Sequence, residues 1–497
     1  ILSDTDIAVK DSRIAYVGND ASHTIGEDTQ VIEAGNRYVS PGFLDGHCHI
    51  ESTQLTPAQF SRAVMPNGTT GGFFDAHEIT NVLGLEGLKY MLEEARMTPM
   101  AAYMQVPSSV PSTSGEFETN GAEIGPDEVS EAFSWGDDVN ALGEVMNFPG
   151  VVYGDDKMMS ILETTLRHGK VADGHYTWSS EEGKRLSAYA AAGISGDHEI
   201  TTADDVTARL RLGMYAKLRR GSAWLDVEEP IKAFTEQGMD TRRMMLVTDD
   251  RSPESLIDEG HMDFVIRHAI EQGVPPITAI QMATINTAER FGLSNDVGVI
   301  APGRFADIVI LEGTLAAVNV KTTIAAGKVV AEDGEMVVDV PEYPLSEKAT
   351  RSVHITKEFT ADDFKTAVPE GKSQHTVRAI QLIENQVGTK EQHVAMDSKD
   401  GELQLADDLC YMTVIERHGK NGNQGFGILK GVGFKEPAAI ASTVAHDSHN
   451  LMVIGNDREK MAEAANQVVE MQGGVAVTSE SGKAEMPLRV AGLMSDA

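Results

Sequence analysis

Pro41-Gly-Phe-Leu-Asp-Gly-His-Cys-His-Ile-Glu51 is the stretch from which the rest of the chain is read: a short apolar run that ends in two histidines two positions apart. Side chains at i and i+2 of a strand point the same way, so His47 and His49 present two imidazoles to one metal ion from a single strand end. An isolated His-x-His is also ordinary polar surface. The pair therefore gains meaning only if the rest of the chain supplies further ligands.

Downstream, residues 41–299 alternate strand-like runs with amphipathic helical stretches. Gly71-Gly-Phe-Phe-Asp is followed by a helix-like Leu83 to Ala95. Lys170-Val-Ala-Asp-Gly-His precedes Ser180 to Ala192, and Met244-Met-Leu-Val-Thr-Asp-Asp precedes Ser255 to Gln272. Repeated strand then helix is the pattern of a (β/α)8 barrel or of a doubly wound sheet, and periodicity does not choose between them.

Both flanks of this block read differently. Ile7-Ala-Val-Lys, Arg13-Ile-Ala-Tyr-Val and Gln30-Val-Ile-Glu before it, and Asp307-Ile-Val-Ile-Leu, Thr322-Thr-Ile-Ala and Lys328-Val-Val-Ala after it, are short strand-like runs between turn residues. Residues 1–40 plus 300–340 are therefore expected to form one small β-domain. The two prolines of Val338-Asp-Val-Pro-Glu-Tyr-Pro mark a boundary. Residues 350–497, with strand-like Thr376 to Ile383 and Met412 to Glu416 and a helix-like Glu459 to Met471, read as a C-terminal α/β domain.

Composition narrows the partners. A formal charge of −35 repels phosphates and anionic membrane surfaces, so a small neutral or cationic substrate is expected, with no nucleic acid and no membrane. No run of about 18 apolar residues appears, and the start, Ile1 rather than Met, lacks the pattern of a signal peptide. Two cysteines, Cys48 and Cys410, build no disulfide framework and agree with a cytoplasmic setting. They also exclude the zinc deaminase pattern that needs Pro-Cys-x-x-Cys.

In a barrel, polar residues at the carboxyl ends of the strands line the active face. Glu144, His175, His198 and Asp249 each end or follow an apolar run, and all are metal-ligand types. From His47 to Glu144 is 144 − 47 = 97 positions, then 175 − 144 = 31, 198 − 175 = 23 and 249 − 198 = 51. At about 30 residues per strand-helix unit these fall on strands four, five, six and eight. Six ligands on five strands suffice for two divalent ions with a bridging carboxylate.

Several stretches resemble the bacterial adenine deaminase family of the amidohydrolase superfamily: Pro41 to Ser52, Asp75-Ala-His-Glu-Ile-Thr-Asn-Val-Leu-Gly84, Gly143-Glu-Val-Met-Asn-Phe-Pro-Gly150, Arg211-Leu-Gly-Met-Tyr215, Thr248-Asp-Asp-Arg251 with Glu259-Gly-His261, Ala301-Pro-Gly-Arg-Phe-Ala-Asp307, Thr443-Val-Ala-His-Asp-Ser-His-Asn450 and Ala491-Gly-Leu-Met494. The resemblance covers nearly the whole chain. It implies a (β/α)8 metal-dependent hydrolase barrel that converts adenine to hypoxanthine and ammonia, and assembly into a homo-oligomer. The cofactors it implies are two divalent ions, Mn2+ or Fe2+, with Zn2+ as a further candidate. His47, His49, Glu144, His175, His198 and Asp249 match the metal ligands, Glu144 as bridge. Where the family reads Asp-Gly-His-x-Pro-Gly, this chain reads Asp173-Gly-His-Tyr-Thr-Trp-Ser179, and an alanine replaces the usual proline in Asp75-Ala-His-Glu78.

The chemistry then assigns roles. Asp249 is expected to move protons between the attacking water and the leaving ammonia, and Glu78 or His77 to hydrogen-bond a ring nitrogen. Glu78 equally suits the N-cap region of a helix beginning near Asn81. Trp178 is a candidate for stacking on the heterocycle, with packing as the alternative. Ser108 is a pocket candidate, though Ser108-Ser-Val-Pro also reads as a turn, and His446 and His449 are placed close to substrate by the resemblance alone. The alternatives are hydrolysis of a cyclic amide or deamination of another heterocycle on the same metals, and a metal-free structural barrel.

Overall fold

The structure is a computed structural model that describes residues 2–113, 115–179, 183–341, 343–369, 371–383, 388–406 and 408–495. It divides into two compact units. Ile1–His77, Lys89–Ser109 and Ile124–Tyr343 form the first; Glu78–Leu88, Val110–Glu123 and Pro344–Ala497 form the second.

The first unit contains, among the described residues, eight strands in the order of a barrel: β1 (Phe43–Cys48), β2 (Thr69–Asp75), β3 (Ala101–Val106), β4 (Val139–Val145), β5 (Val171–Gly174), β6 (Gly196–Asp197), β7 (Tyr215–Arg219) and β8 (Met244–Val247). Neighbours from β1 to β5 and from β6 to β8 are parallel. Single parallel bridges, Ala172 to Ile194 and Cys48 to Asp249, join the two runs into a closed ring. Glu144, His175, His198 and Asp249 thus sit at or just beyond the carboxyl ends of β4, β5, β6 and β8.

Every residue of β1, β2 and β4 is buried, as expected of parallel strands covered on both faces. Outside the ring, Ala216, Leu218, Met244 and Leu246 pack on the helical residues Val265, Ile266 and Ala269. Inside it, side chains come in layers from alternate strands. Phe73 of β2, Ala141 of β4 and Met245 of β8 form an apolar layer with Phe291, whose ring stacks on Phe73 at 3.6 Å between centroids. A polar layer comes from the odd strands. Gln105 of β3 donates to Asp173 of β5 at 3.0 Å, and Lys217 of β7 bonds to Asp173 and to the carbonyl oxygen of Gly46 in β1.

The two flanks meet in one antiparallel sheet, where Tyr38–Pro41 pairs with Ile308–Glu312, followed by Asn319–Ala325, Lys328–Glu332 and Glu335–Met336. The hairpin Asp6–Lys10 and Arg13–Gly18 packs Ile14 against Ala306, Ile308 and Ile324. Gln30 to Glu33, expected as a strand, is irregular and exposed. The helix expected from Ser255 to Gln272 is two, Pro253–Asp258 and Met262–Glu271, separated at Gly260, whose φ of 103° no right-handed helix accepts.

The second unit is sheet-dominated. Nine described strands run in the order Glu402–Leu403, Thr389–Lys399, Gln374–Leu382, Gln424–Lys430, Leu409–Ile415, Leu451–Gly455, Ala438–Ser442, Gly474–Ser479 and Lys483–Pro487. The helix Arg458–Met471 covers one face with Met461, Ala464, Ala465 and Val468. Its small residues let the helix lie close to Ala439, Ala441 and Ala476. No helix among the described residues is long and apolar enough to cross a membrane.

Candidate metal centre

At the carboxyl rim of the barrel, β1 delivers His47 and His49, as their i, i+2 spacing predicts. Glu144 is the hub. Its Oε1 lies 3.7 Å from His49 Nε2 and 3.5 Å from His77 Nε2, and its Oε2 lies 3.6 Å from His47 Nε2, 2.9 Å from His175 Nδ1 and 3.0 Å from His198 Nε2. Asp249 Oδ1 stands 3.3 Å from His49 Nε2 and 3.8 Å from His47 Nε2. All six expected ligands therefore converge, and Glu144 belongs both to a group with His47 and His49 and to one with His175 and His198.

The donors fit a metal. Neither ring nitrogen of the fully buried His47 has a hydrogen-bond partner among the described residues, nor has Nδ1 of His198. Buried polar atoms left in this state cost stability unless something else satisfies them. His49 Nδ1 donates to the Asp75 carbonyl at 2.8 Å, which leaves Nε2 turned to the carboxylates as a ligand atom. Protonation states agree at His198, Glu144 and Asp249. Burial, with His47 beside it, pushes His198 down to about 3, so it is neutral. Burial opposes charge on Glu144 and Asp249, yet the surrounding imidazoles, and Arg219 for Asp249, hold both carboxyls well below their usual range. Burial likewise opposes charge on His49 and His175, but the neighbouring carboxylates Asp249 and Glu144 hold both imidazoles protonated, His175 up to about 10, so a bound ion must displace their protons. Neutral imidazoles and ionised carboxylates are what a divalent ion binds.

The barrel positions these groups through its backbone. Glu144 N–H donates to Asp75 Oδ2 at 2.7 Å, and a side chain at Gly143 would collide with that carboxylate. Ser108 Oγ donates to the Glu144 carbonyl at 2.6 Å, so Ser108 braces the end of β4. Asp249 has φ 62°, a left-handed conformation that aspartate tolerates, and its N–H bonds the His47 carbonyl at 2.9 Å. Asp45 accepts from Thr248 Oγ1 at 2.5 Å and from His47 N–H at 3.1 Å. Glu199 and Arg219 were not anticipated. Arg219 forks onto both oxygens of Glu199 at 2.6 and 3.0 Å and reaches Asp249 Oδ2 at 2.9 Å. Their signals were a carboxylate directly after His198 and, in Tyr215-Ala-Lys-Leu-Arg219, two cations at strand spacing on one face.

The other expected site residues have settings of their own. Trp178 lies against Phe148 at 4.9 Å and within 6.1 Å of Tyr153 and Tyr176, with the Arg185 guanidinium 4.6 Å over its ring, so it packs in an aromatic cluster. Ser180, proposed as a helix start, lies outside the described residues. The helix expected near Asn81 begins at His77, with Glu78 in its first turn. Glu78, His446 and His449 gather in the second unit.

A closed parallel barrel with histidines and carboxylates at its carboxyl rim defines the class, and the Amidohydrolase family profile matches residues 38–330. The profile of the adenine deaminase C-terminal domain matches residues 386–497. Curated relatives named adenine deaminase include those of Rubrobacter xylanophilus, 59% identical over the whole chain and 82% of the relative, and of Ruegeria sp. (strain TM1040), 46% identical with the same coverage. That of Moorella thermoacetica is 47% identical over 99% of the chain and 82% of the relative. Atrazine chlorohydrolase of Arthrobacter aurescens TC1, solved in complex with zinc, shares the fold at TM-score 0.51 and 15% identity, over 68% of this chain and 93% of that one. The chain belongs to the adenine deaminase family of amidohydrolases.

Proposed function

We propose that this chain hydrolyses adenine to hypoxanthine and ammonia in the barrel, with two divalent ions, Mn2+ or Fe2+ by preference and Zn2+ as a substitute, held by His47, His49, Glu144, His175, His198 and Asp249. The observation that carries the two-ion reading is Glu144, whose carboxylate is shared by two histidine groups. When bound, such ions lower the pKa of water and stabilise negative charge as an oxygen adds to the ring.

The chain's own residues manage the protons. Water forms a bond to C6 as the C6–N1 double bond opens; one of its protons goes to N1 and the other to the amino nitrogen, whose bond to C6 breaks as the C6 carbonyl forms. Asp249, ionised and 3.3 Å from His49, takes a proton from that water and passes it to the departing amino nitrogen. Arg219 holds the Asp249 carboxylate in one orientation. Of the two residues offered for the ring nitrogen, His77 is the choice, because its Nε2 already lies 3.5 Å from Glu144. Ser108 acts as a positioning residue through the Glu144 carbonyl. The setting is cytoplasmic, a reading supported by the free, buried thiols of Cys48 and Cys410.

The test is ammonia release from adenine, adenosine, guanine, cytosine and simple cyclic amides by manganese-loaded enzyme. Adenine is expected to be turned over fastest. Turnover of a cyclic amide with none of adenine would overturn the assignment.

A further inference from the structure

The second unit holds metal-ligand side chains that the barrel chemistry does not use. Glu78, His446 and His449 each present a ligand atom, all within 4.8 Å of one another. His446 Nε2 is 3.6 Å from Glu78 Oε1, His449 Nδ1 is 4.0 Å from Glu78 Oε2, and the two imidazole rings meet edge to face at 5.1 Å. Those separations exceed a hydrogen bond. They approach the spacing of about 3.3 Å between two ligands on a tetrahedral ion with bonds of about 2.0–2.1 Å.

The cluster is built on a rigid frame. Glu78 and His449 are fully buried, whereas His446 is exposed, so the three leave one side open. Arg417, itself buried, donates from Nε to the His449 carbonyl at 2.5 Å and from Nη2 to the Ala491 carbonyl at 2.9 Å. Asn450 accepts from Arg417 N–H at 3.2 Å and donates to the Thr119 carbonyl at 2.7 Å. Asn81, one turn after Glu78 on the helix His77–Leu83, donates to the Asp447 carbonyl at 2.7 Å. One helix thus supplies the carboxylate and also clamps the loop that carries both imidazoles. Locking ligand-bearing backbone in this way is what a preorganised site requires.

We propose that Glu78, His446 and His449 form a metal site for a divalent first-row ion, with ligands entirely different from those of the barrel and water completing the coordination on the open side. Two imidazoles and one carboxylate with open positions suit Zn2+ or Fe2+. The proposal is independent of the adenine assignment, because its readout is bound metal.

The experiment uses the full chain, stripped by chelator, reloaded with Zn2+ alone, desalted and analysed for metal per chain, with Co2+ as a second probe read by its visible absorption. The wild type is expected to bind one equivalent more than His446→Asn and Glu78→Gln. A Glu144→Gln variant, disrupted in the barrel, is expected to retain that equivalent. Because His446 is exposed, His446→Asn is the variant least able to disturb folding. Equal metal content in the wild type and His446→Asn, with identical Co2+ spectra, would overturn the site, as would loss of all bound metal in Glu144→Gln.

Discussion

Arg219 Nη1 lies 2.9 Å from Asp249 Oδ2 while the same guanidinium grips both oxygens of Glu199. One planar cation therefore orients the carboxylate proposed to carry protons and a second carboxylate that lies 3.5 Å from both His175 and His198. A lysine ammonium is a point charge and cannot reproduce the fork. Arg219→Lys is expected to lower kcat/KM for adenine by about 10- to 100-fold while bound metal stays constant, because the loss is one of orientation. Steady-state rates paired with metal analysis check this; unchanged rates would show that the fork does not matter.

Gly143 is required by the close approach of Asp75. A methyl group there would overlap the carboxylate that accepts the Glu144 N–H. Gly143→Ala is expected to displace the hub of the metal cluster and weaken metal affinity by about 10- to 100-fold, the usual effect of losing an outer support of a ligand. Competition with a chromophoric chelator measures it.

Lys217 is fully buried, and its ammonium bonds Asp173 and the Gly46 carbonyl. Burial pushes Lys217 down, while Lys217 and Arg290 overcome burial to hold Asp173 far below its usual range. Lys217→Met removes the cation and leaves a buried carboxylate short of a partner. The expected cost is about 3–5 kcal/mol of stability, read as a lower denaturant midpoint. A midpoint equal to that of the wild type would refute the role given to this pair.

Asp45 and His261 face each other at 3.3 Å, both buried. Burial raises the Asp45 carboxyl to about 6, and burial together with Arg251 lowers the His261 imidazole to about 3. Unfolded, the two titrate near about 3.9 and 6.5. Stability from a neutral His261 is present above about pH 6.5 and is lost as pH falls toward 3, whereas the protonated Asp45 adds stability as pH falls from about 6 to 4. Between about pH 4 and 6 each state holds one proton on the pair, so the two effects cancel. His261→Asn leaves only the Asp45 effect, and the variant is expected to gain about 1.4 kcal/mol per pH unit on the wild type from pH 6 down to 4. Denaturant curves across that range decide it; parallel pH dependences would contradict the assignment.

Much of the candidate metal centre was legible because a barrel converts sequence spacing into rim position. A ligand at the end of each strand, at intervals near one strand-helix unit, falls on one face whatever the intervening helices do. His47, His49, Glu144, His175, His198 and Asp249 follow that rule. Glu199 and Arg219 were missed because neither ends a strongly apolar run: Glu199 sits in a loop, and β7 carries Lys217 and Arg219 inward among buried residues. Trp178 could not be placed in advance, because stacking on a ligand and packing against Phe148 leave the same trace in sequence. The break at Gly260 was visible as a glycine, but a glycine inside a helical period does not by itself report a positive φ.

By itself, the sequence determined the alternation of strand and helix, the rim that collects the ligands, and the family. These are local periodicities and motifs, written in consecutive residues. The tertiary structure alone decided that residues 78–88 and 110–123 group with the C-terminal unit, and that Glu78 meets His446 and His449 there. It also decided that Lys217 lies opposite Asp173 and that Arg219 bridges Glu199 and Asp249. Pairings between residues far apart in the chain depend on how whole layers pack, and no local period encodes them.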